Sequence, residues 1–144
     1  MGLTLEGEIS SRKISLSREV QLLQRELELL QEEIRRNVVF ETGNNRVGFE
    51  AKRTLDKVVD AMNRYKRPVV EVGGHTDSDG DAEANYELSL RRASAVREYL
   101  ELAGIDGLRL RALGYGESQP LFSNDTKIGK EQNRRVDFKA RESF

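Results

Sequence analysis

Residues 67–93 read RPVVEVGGHTDSDGDAEANYELSLRRA. The β-branched run at 69–72, directly after Pro68, predicts a strand that ends at Gly73-Gly74. After a polar loop, apolar side chains recur at helical spacing at Ala93, Val96, Leu100 and Ala103. The stretch therefore predicts a strand, a polar loop at the carboxyl end of that strand, and an amphipathic helix.

The alternation of strands and helices continues on both sides of this stretch. Residues 38–40 predict a first strand, residues 48–65 a helix with apolar positions at i, i+3, i+4 and i+7, and residues 108–112 and 136–140 two further strands. The expected fold class is therefore α/β, a two-layer α+β arrangement in the order βαβαββ. It should hold a mixed four-stranded sheet with two helices on one face.

Residues 9–36 differ from the rest of the chain. Their apolar residues follow a 4-3-4-3-4 spacing without Gly or Pro, which predicts a long amphipathic helix between a disordered start (1–8) and a globular domain (38–141). Because a period of 3.5 is typical of coiled coils, we expect self-association as a homodimer or larger oligomer. Docking of the helix on its own domain is the alternative. The seam comprises Leu16, Val20, Leu23, Leu27, Leu30 and Ile34.

The composition excludes several classes of function. The 144 residues carry 24 Lys and Arg against 25 Asp and Glu, so the chain lacks the basic field that nucleic-acid binding needs. Cysteine is absent, which excludes disulfides and thiol chemistry, and we expect no cofactor and no metal site. No apolar run reaches the roughly 18–20 residues of a membrane span, and the start lacks an export signal. The chain is therefore interpreted either as cytoplasmic or as the soluble part of a longer, exported protein.

Two charged side chains in residues 67–93 suit a single ligand. Asp77 lies in the loop after the predicted strand, where open sheets commonly bind ligands. On the helical wheel Arg92 flanks the apolar stripe centred on Ser89, whereas Arg91 points into solvent. A carboxylate and a guanidinium presented together can bind the ammonium and carboxylate of a zwitterion. The alternative is an ordinary structural ion pair between Asp77 and Arg92.

Four separated motifs in residues 38–141 resemble the OmpA-like peptidoglycan-binding domain. This family includes the C-terminal domains of OmpA proteins, peptidoglycan-associated lipoproteins and MotB-type stator proteins. The resemblance implies non-covalent binding of peptidoglycan in the periplasm, without catalysis, and an anchor to the outer or inner membrane in a segment absent from this chain. The motifs are Gly74-His75-Thr76-Asp77, Asn85-x-x-Leu88-Ser89-x-x-Arg92-Ala93, Gly114-Tyr115-Gly116-Glu117 and Asn133-Arg134-Arg135-Val136.

The resemblance also implies which residues hold the ligand. The family's ligand-binding Asp falls on Asp77, its Arg on Arg92 and its Asn on Asn85. Asp77 would accept the ammonium of the diaminopimelate in the stem peptide, and Arg92 would clamp the neighbouring carboxylate. Asn85 would shape the loop or donate a further hydrogen bond. Second-rank candidates are Asp79, Asn44 and Arg135.

One departure and two alternative functions accompany this interpretation. Glu41 stands where members of the family often carry an Asp, and Thr42-Gly43-Asn44 follows it. One alternative is an oligomeric stator-type envelope component, in which the helix drives assembly and wall binding is secondary. The other is a peptidoglycan hydrolase acting through His75 and Asp77. It is disfavoured by the single histidine, which is interpreted as a hydrogen-bonded turn residue.

Overall fold

The structure, a computed structural model, describes residues 14–41 and 43–144. The predicted disordered start, residues 9–13 of the predicted helix, and Thr42 lie outside the described residues. The elements, in chain order, are α1 Leu16–Asn37, α2 Phe49–Arg64, β1 Val69–His75, α3 Ala82–Leu102, a 3-10 turn Gly107–Arg109, β2 Leu110–Gly116, α4 Lys127–Asn133 and β3 Arg135–Arg141.

The sequence predicts a mixed sheet, and the structure shows one, with three strands in the order β2-β1-β3. β1 runs parallel to β2 and antiparallel to β3, with Val70 opposite both Leu110 and Ala140. Because side chains alternate along a strand, the apolar residues of all three strands share one face. That face carries Val70, Val72, Leu110, Val136, Phe138 and Ala140, all buried in the core.

The prediction of a fourth strand at residues 38–40 is wrong for the part of the chain that the structure describes. α1 continues to Asn37, and the Val38 N–H donates to the Ile34 carbonyl (2.8 Å) instead of to a neighbouring strand. α1 itself lies along the free edge of β3. Gln24 Oε1 accepts a hydrogen bond from the Ala140 N–H (2.8 Å), and Gln31 Nε2 donates to the Val136 carbonyl (3.4 Å). The two glutamines, one heptad apart, thus satisfy edge groups that a fourth strand would have paired.

α1 is part of the globular core. It begins after Ser15, whose hydroxyl accepts the Arg18 N–H, and it packs against α2 and β3. Leu23, Leu27 and Ile34 of the predicted seam are at most 1% exposed. The seam is therefore buried within this chain, as in the alternative of a docked helix, and self-association through α1 stays a prediction. No helix in the described part of the chain is long and apolar enough to span a bilayer.

α2 and α3 complete the helical layer near their predicted positions. α3 packs on β1 and β2, and α2 packs on α1 and α3. Glycine permits the close approach of α3, because a Cβ on Gly74 would lie 2.1 Å from the Ser89 carbonyl oxygen. The Ser89 hydroxyl in turn accepts the Gly116 N–H (2.9 Å). This contact fixes one end of α3 beside the carboxyl end of β1.

Candidate ligand-binding cleft

A cleft of about 660 Å³ opens at the carboxyl end of β1. Its walls come from the C-terminal half of α1, the segment after it, the loop after β1, one side of α3, and the junction of α4 with β3. The volume lies within the range of about 300–1,000 Å³ typical of small-molecule sites. Of the predicted site residues, Asp77, Asn85, Arg92 and Arg135 line it.

Asp77 presents a fixed carboxylate to the cleft. Its side chain is only 10% exposed. Oδ1 accepts the Asp79 N–H (2.9 Å), which holds the loop in a tight turn, and Oδ2 lies 2.5 Å from Arg134 Nη1. The Arg134 side chain is 45% exposed, so the partner of this buried carboxylate has room to move.

Arg92 reaches the cleft from α3 but does not pair with Asp77, so the predicted structural ion pair is not formed. Its Nε donates to the Asn44 carbonyl (3.0 Å), its Nη2 donates to the Glu41 carbonyl (3.1 Å), and its guanidinium lies 5.1 Å from the centre of the Phe40 ring. Burial lowers the pKa of Arg92, and the nearby charge of Arg134 acts in the same direction. Nη1 makes no hydrogen bond to any described residue.

Asn85 braces the loop that carries Asp77. Its Nδ2 donates to the Asp79 carbonyl (2.8 Å) and, more weakly, to the Asp77 carbonyl (3.4 Å). These bonds join Asn85 to both ends of the tight turn. The resemblance implies that Asn85 shapes the loop or donates a further hydrogen bond to the ligand, and the residue also lines the cleft.

The three second-rank candidates separate in the structure. Arg135 lines the cleft with a side chain that is 3% exposed. Asp79 is 65% exposed and pairs with Lys130 (3.1 Å), outside the lining residues. Asn44 also lies outside them: its side chain accepts the Arg46 N–H, and only its carbonyl contributes, by anchoring Arg92.

His75 is the last residue of β1 and not a turn residue, which corrects the sequence interpretation. Its ring stacks on Tyr115, with centroids 5.1 Å apart. Nε2 lies 3.1 Å from Asp137 Oδ2, although the geometry is not that of a hydrogen bond. The side chain of Asp77 bonds to Asp79 and Arg134 instead of to His75, so the pair needed by the hydrolase interpretation is not assembled. No cluster of three or more His, Asp or Glu side chains suited to a metal ion occurs within residues 14–41 and 43–144.

Sequence reasoning missed several residues of the cleft. Arg134 pairs with Asp77 across 57 positions of sequence, and the only signal for it was its place in the Asn133-Arg134-Arg135 motif. Glu32, Arg35 and Arg36 of α1 also line the cleft. No pattern in residues 9–36 could reveal this, because it depends on which surface the helix packs against.

Comparisons with known proteins give the family of the chain and its similarity to solved folds. The family model described as "OmpA family" matches residues 39–134. A peptidoglycan-associated lipoprotein of Rhizobium meliloti is 34% identical over 99 residues, covering 69% of this chain and 56% of that protein. The chain spans less than two thirds of the length of the curated relatives it matches.

Two solved structures are similar in fold to most of the chain. The cell wall anchor of the T6SS from Pseudomonas aeruginosa is 30% identical with a TM-score of 0.63, over 70% of this chain and 73% of that one. A MotB like protein from Desulfovibrio vulgaris is 24% identical with a TM-score of 0.68, over 88% of this chain and 98% of that one. An alignment over 88% of the chain extends beyond the residues matched by the family model, so it includes part of the N-terminal region.

Proposed function

The chain belongs to the OmpA family, and we propose that its domain binds peptidoglycan non-covalently through the diaminopimelate of the stem peptide. In this role it tethers a membrane or envelope complex to the cell wall, in the periplasm, and catalyses no reaction. The single observation that carries the proposal is the convergence of Asp77, Arg92 and Arg134 on one cleft.

The charges of the cleft match the free end of diaminopimelate, which presents an ammonium and a carboxylate on one carbon. The ammonium would take the place of Arg134 at Asp77 Oδ2, and the released Arg134 would meet the ligand carboxylate. Arg92 Nη1 would donate a second hydrogen bond to that carboxylate. One ion pair is thus exchanged for two, both partly shielded from water, where charge-assisted hydrogen bonds are strongest.

The names of two relatives support the peptidoglycan part of the proposal. One is named for its association with peptidoglycan, and another is described as a cell wall anchor. The curated relatives are longer than this chain. The membrane anchor and the tethered complex are therefore proposed together with peptidoglycan binding.

Co-sedimentation with purified sacculi tests the proposal. Asp77→Asn keeps the oxygen that accepts the Asp79 N–H but removes the charge, so it should abolish sedimentation while the domain stays folded. Asp79→Asn removes an exposed charge two positions away and is the matched control. Free meso-diaminopimelate should release the wild-type protein, and cadaverine, which has two ammonium groups and no carboxylate, should do so far less. Equal sedimentation of Asp77→Asn and wild type would overturn the site.

A further inference from the structure

The cleft has more positively charged side chains than the free end of diaminopimelate can pair with. Five guanidinium groups and three carboxylates line it, although the chain as a whole has a net charge of −1. A ligand end with one ammonium and one carboxylate adds no net charge, so it leaves the excess uncompensated. The charged lining residues are Arg35, Arg36, Arg92, Arg134 and Arg135, and Glu32, Asp77 and Glu131.

Two of these arginines come from α1 and β3 and form no ion pair with Asp77 in the described part of the chain. Arg35 donates to Glu32 one turn earlier on its own helix (2.7 Å) and makes no other hydrogen bond to the described residues. Arg135 donates to the Asn133 carbonyl (3.4 Å) and the Gln119 carbonyl (3.1 Å). The Nε atoms of Arg35 and Arg135 are both buried without a hydrogen-bond partner in the described part of the chain.

The guanidinium groups of Arg35 and Arg135 line the same cleft, on side chains that are only 21% and 3% exposed. Burial lowers the pKa of Arg135; the charge of Asp137 opposes this, and the charge of Arg35 lowers the pKa further. Asp137 Oδ2 is 3.5 Å from Arg135 Nε and also lies 3.1 Å from His75 Nε2. Asp137 therefore neutralises the charge of Arg135 only in part. Two like charges held together at low exposure are unfavourable, and an anion bound between them would relieve the repulsion.

We propose that Arg35, supported by Arg135, forms a second carboxylate subsite that binds another free carboxylate of the same stem peptide. This inference rests on the proposed function. In a stem peptide with γ-linked glutamate, the glutamate α-carboxylate is free and lies one residue before diaminopimelate. The cleft, at about 660 Å³, has room for more than one amino acid. α1 would then take part in recognition as well as in packing.

A matched pair of ligands tests the subsite by calorimetry. L-alanyl-γ-D-glutamyl-meso-diaminopimelate carries the free α-carboxylate, and its α-amide differs only in that group. Wild type should bind the acid about tenfold more tightly than the amide, the size expected for one partly exposed charge-assisted contact. Arg35→Gln should bind both ligands with the affinity that wild type shows for the amide.

Arg25→Gln is the control, because Arg25 is exposed on the same helix outside the cleft; it should keep the tenfold preference. Equal binding of acid and amide by wild type, or an unchanged preference in Arg35→Gln, would overturn the subsite while leaving the diaminopimelate site standing. Failure of wild type to bind either tripeptide would overturn the proposed function and the subsite together.

Discussion

Arg134 Nη1 lies 2.5 Å from Asp77 Oδ2, so the carboxylate best placed to receive an ammonium is already paired within the protein. A ligand with an ammonium alone must break this pair and leave Arg134 without a partner. A ligand that carries a carboxylate next to its ammonium provides a charged partner for Asp77 and another for Arg134. If the proposed function is correct, this ion pair selects for zwitterionic ligands, and a diaminopimelate end should be preferred to a lysine end.

Arg134→Gln should reduce this selectivity. Lysine has the side-chain ammonium of diaminopimelate without the carboxylate, so stem tripeptides that end in one or the other form a matched pair. We expect the ratio of the two affinities to fall about tenfold in Arg134→Gln, since the carboxylate partner is lost and Asp77 is freed for either amine. Calorimetry with both tripeptides measures the ratio. Lys130→Gln, which removes the partner of Asp79, should leave it unchanged, and an unaltered ratio in Arg134→Gln would refute the exchange.

Arg92→Lys should weaken ligand binding although the charge is kept. The fork of Arg92 holds the carbonyls of Glu41 and Asn44, and a lysine ammonium cannot reproduce both bonds together with the contact on Phe40. We expect a loss of about tenfold in affinity for the diaminopimelate tripeptide and about 1 kcal/mol in the free energy of unfolding. The neighbouring, exposed Arg91→Lys should change neither. An Arg92→Lys variant with wild-type affinity would show that charge alone suffices.

Leu27→Ala and Leu29→Ala distinguish a docked helix from a free one. Leu27 is 1% exposed and Leu29 is 78% exposed, on the same helix and only two positions apart. Leu27→Ala should lower the free energy of unfolding by about 2–5 kcal/mol, because it opens a cavity in the core. Leu29→Ala should lie within about 0.5 kcal/mol of wild type. Urea unfolding gives both values, and equal stabilities would mean that α1 does not pack on the domain in solution.

Tyr115 should give the sheet a stability that disappears at high pH. Burial, together with a hydrogen bond to Glu71 (2.6 Å), raises the pKa of the Tyr115 phenol to about 12. Since the pKa is higher in the folded state, the contribution is complete below the unfolded pKa near 10 and is lost as the pH rises through about 12. Unfolding titrations above pH 9 should therefore show a steeper loss of stability for wild type than for Tyr115→Phe. Parallel curves would contradict the shift.

The sequence was sufficient for the elements whose pattern has one structural solution. The helix predicted at 48–65 is found at Phe49–Arg64, and the strand predicted at 136–140 lies within Arg135–Arg141. Prediction from sequence is limited where one pattern is compatible with two structures. The heptad seam of α1 serves equally well against a partner helix or against its own core, and only the tertiary structure distinguishes them.

The site shows the same limit. Asp77 and Arg92 could be placed at one cleft because a strand end and a helix face determine their directions. The partner of Asp77 could not be predicted, because Arg134 arrives from 57 residues later. The prediction of a fourth strand was also wrong. Gln24 and Gln31 of α1 form hydrogen bonds with the edge of β3 instead, and glutamine side chains on a helix carry no sequence signal for that contact.

A crystal structure of this domain with the diaminopimelate tripeptide tests the binding mode most directly. The ligand ammonium should lie within hydrogen-bond distance of Asp77 Oδ2, with Arg134 turned from Asp77 onto the ligand carboxylate. A tripeptide seated elsewhere, with the bond between Arg134 and Asp77 intact, would contradict it.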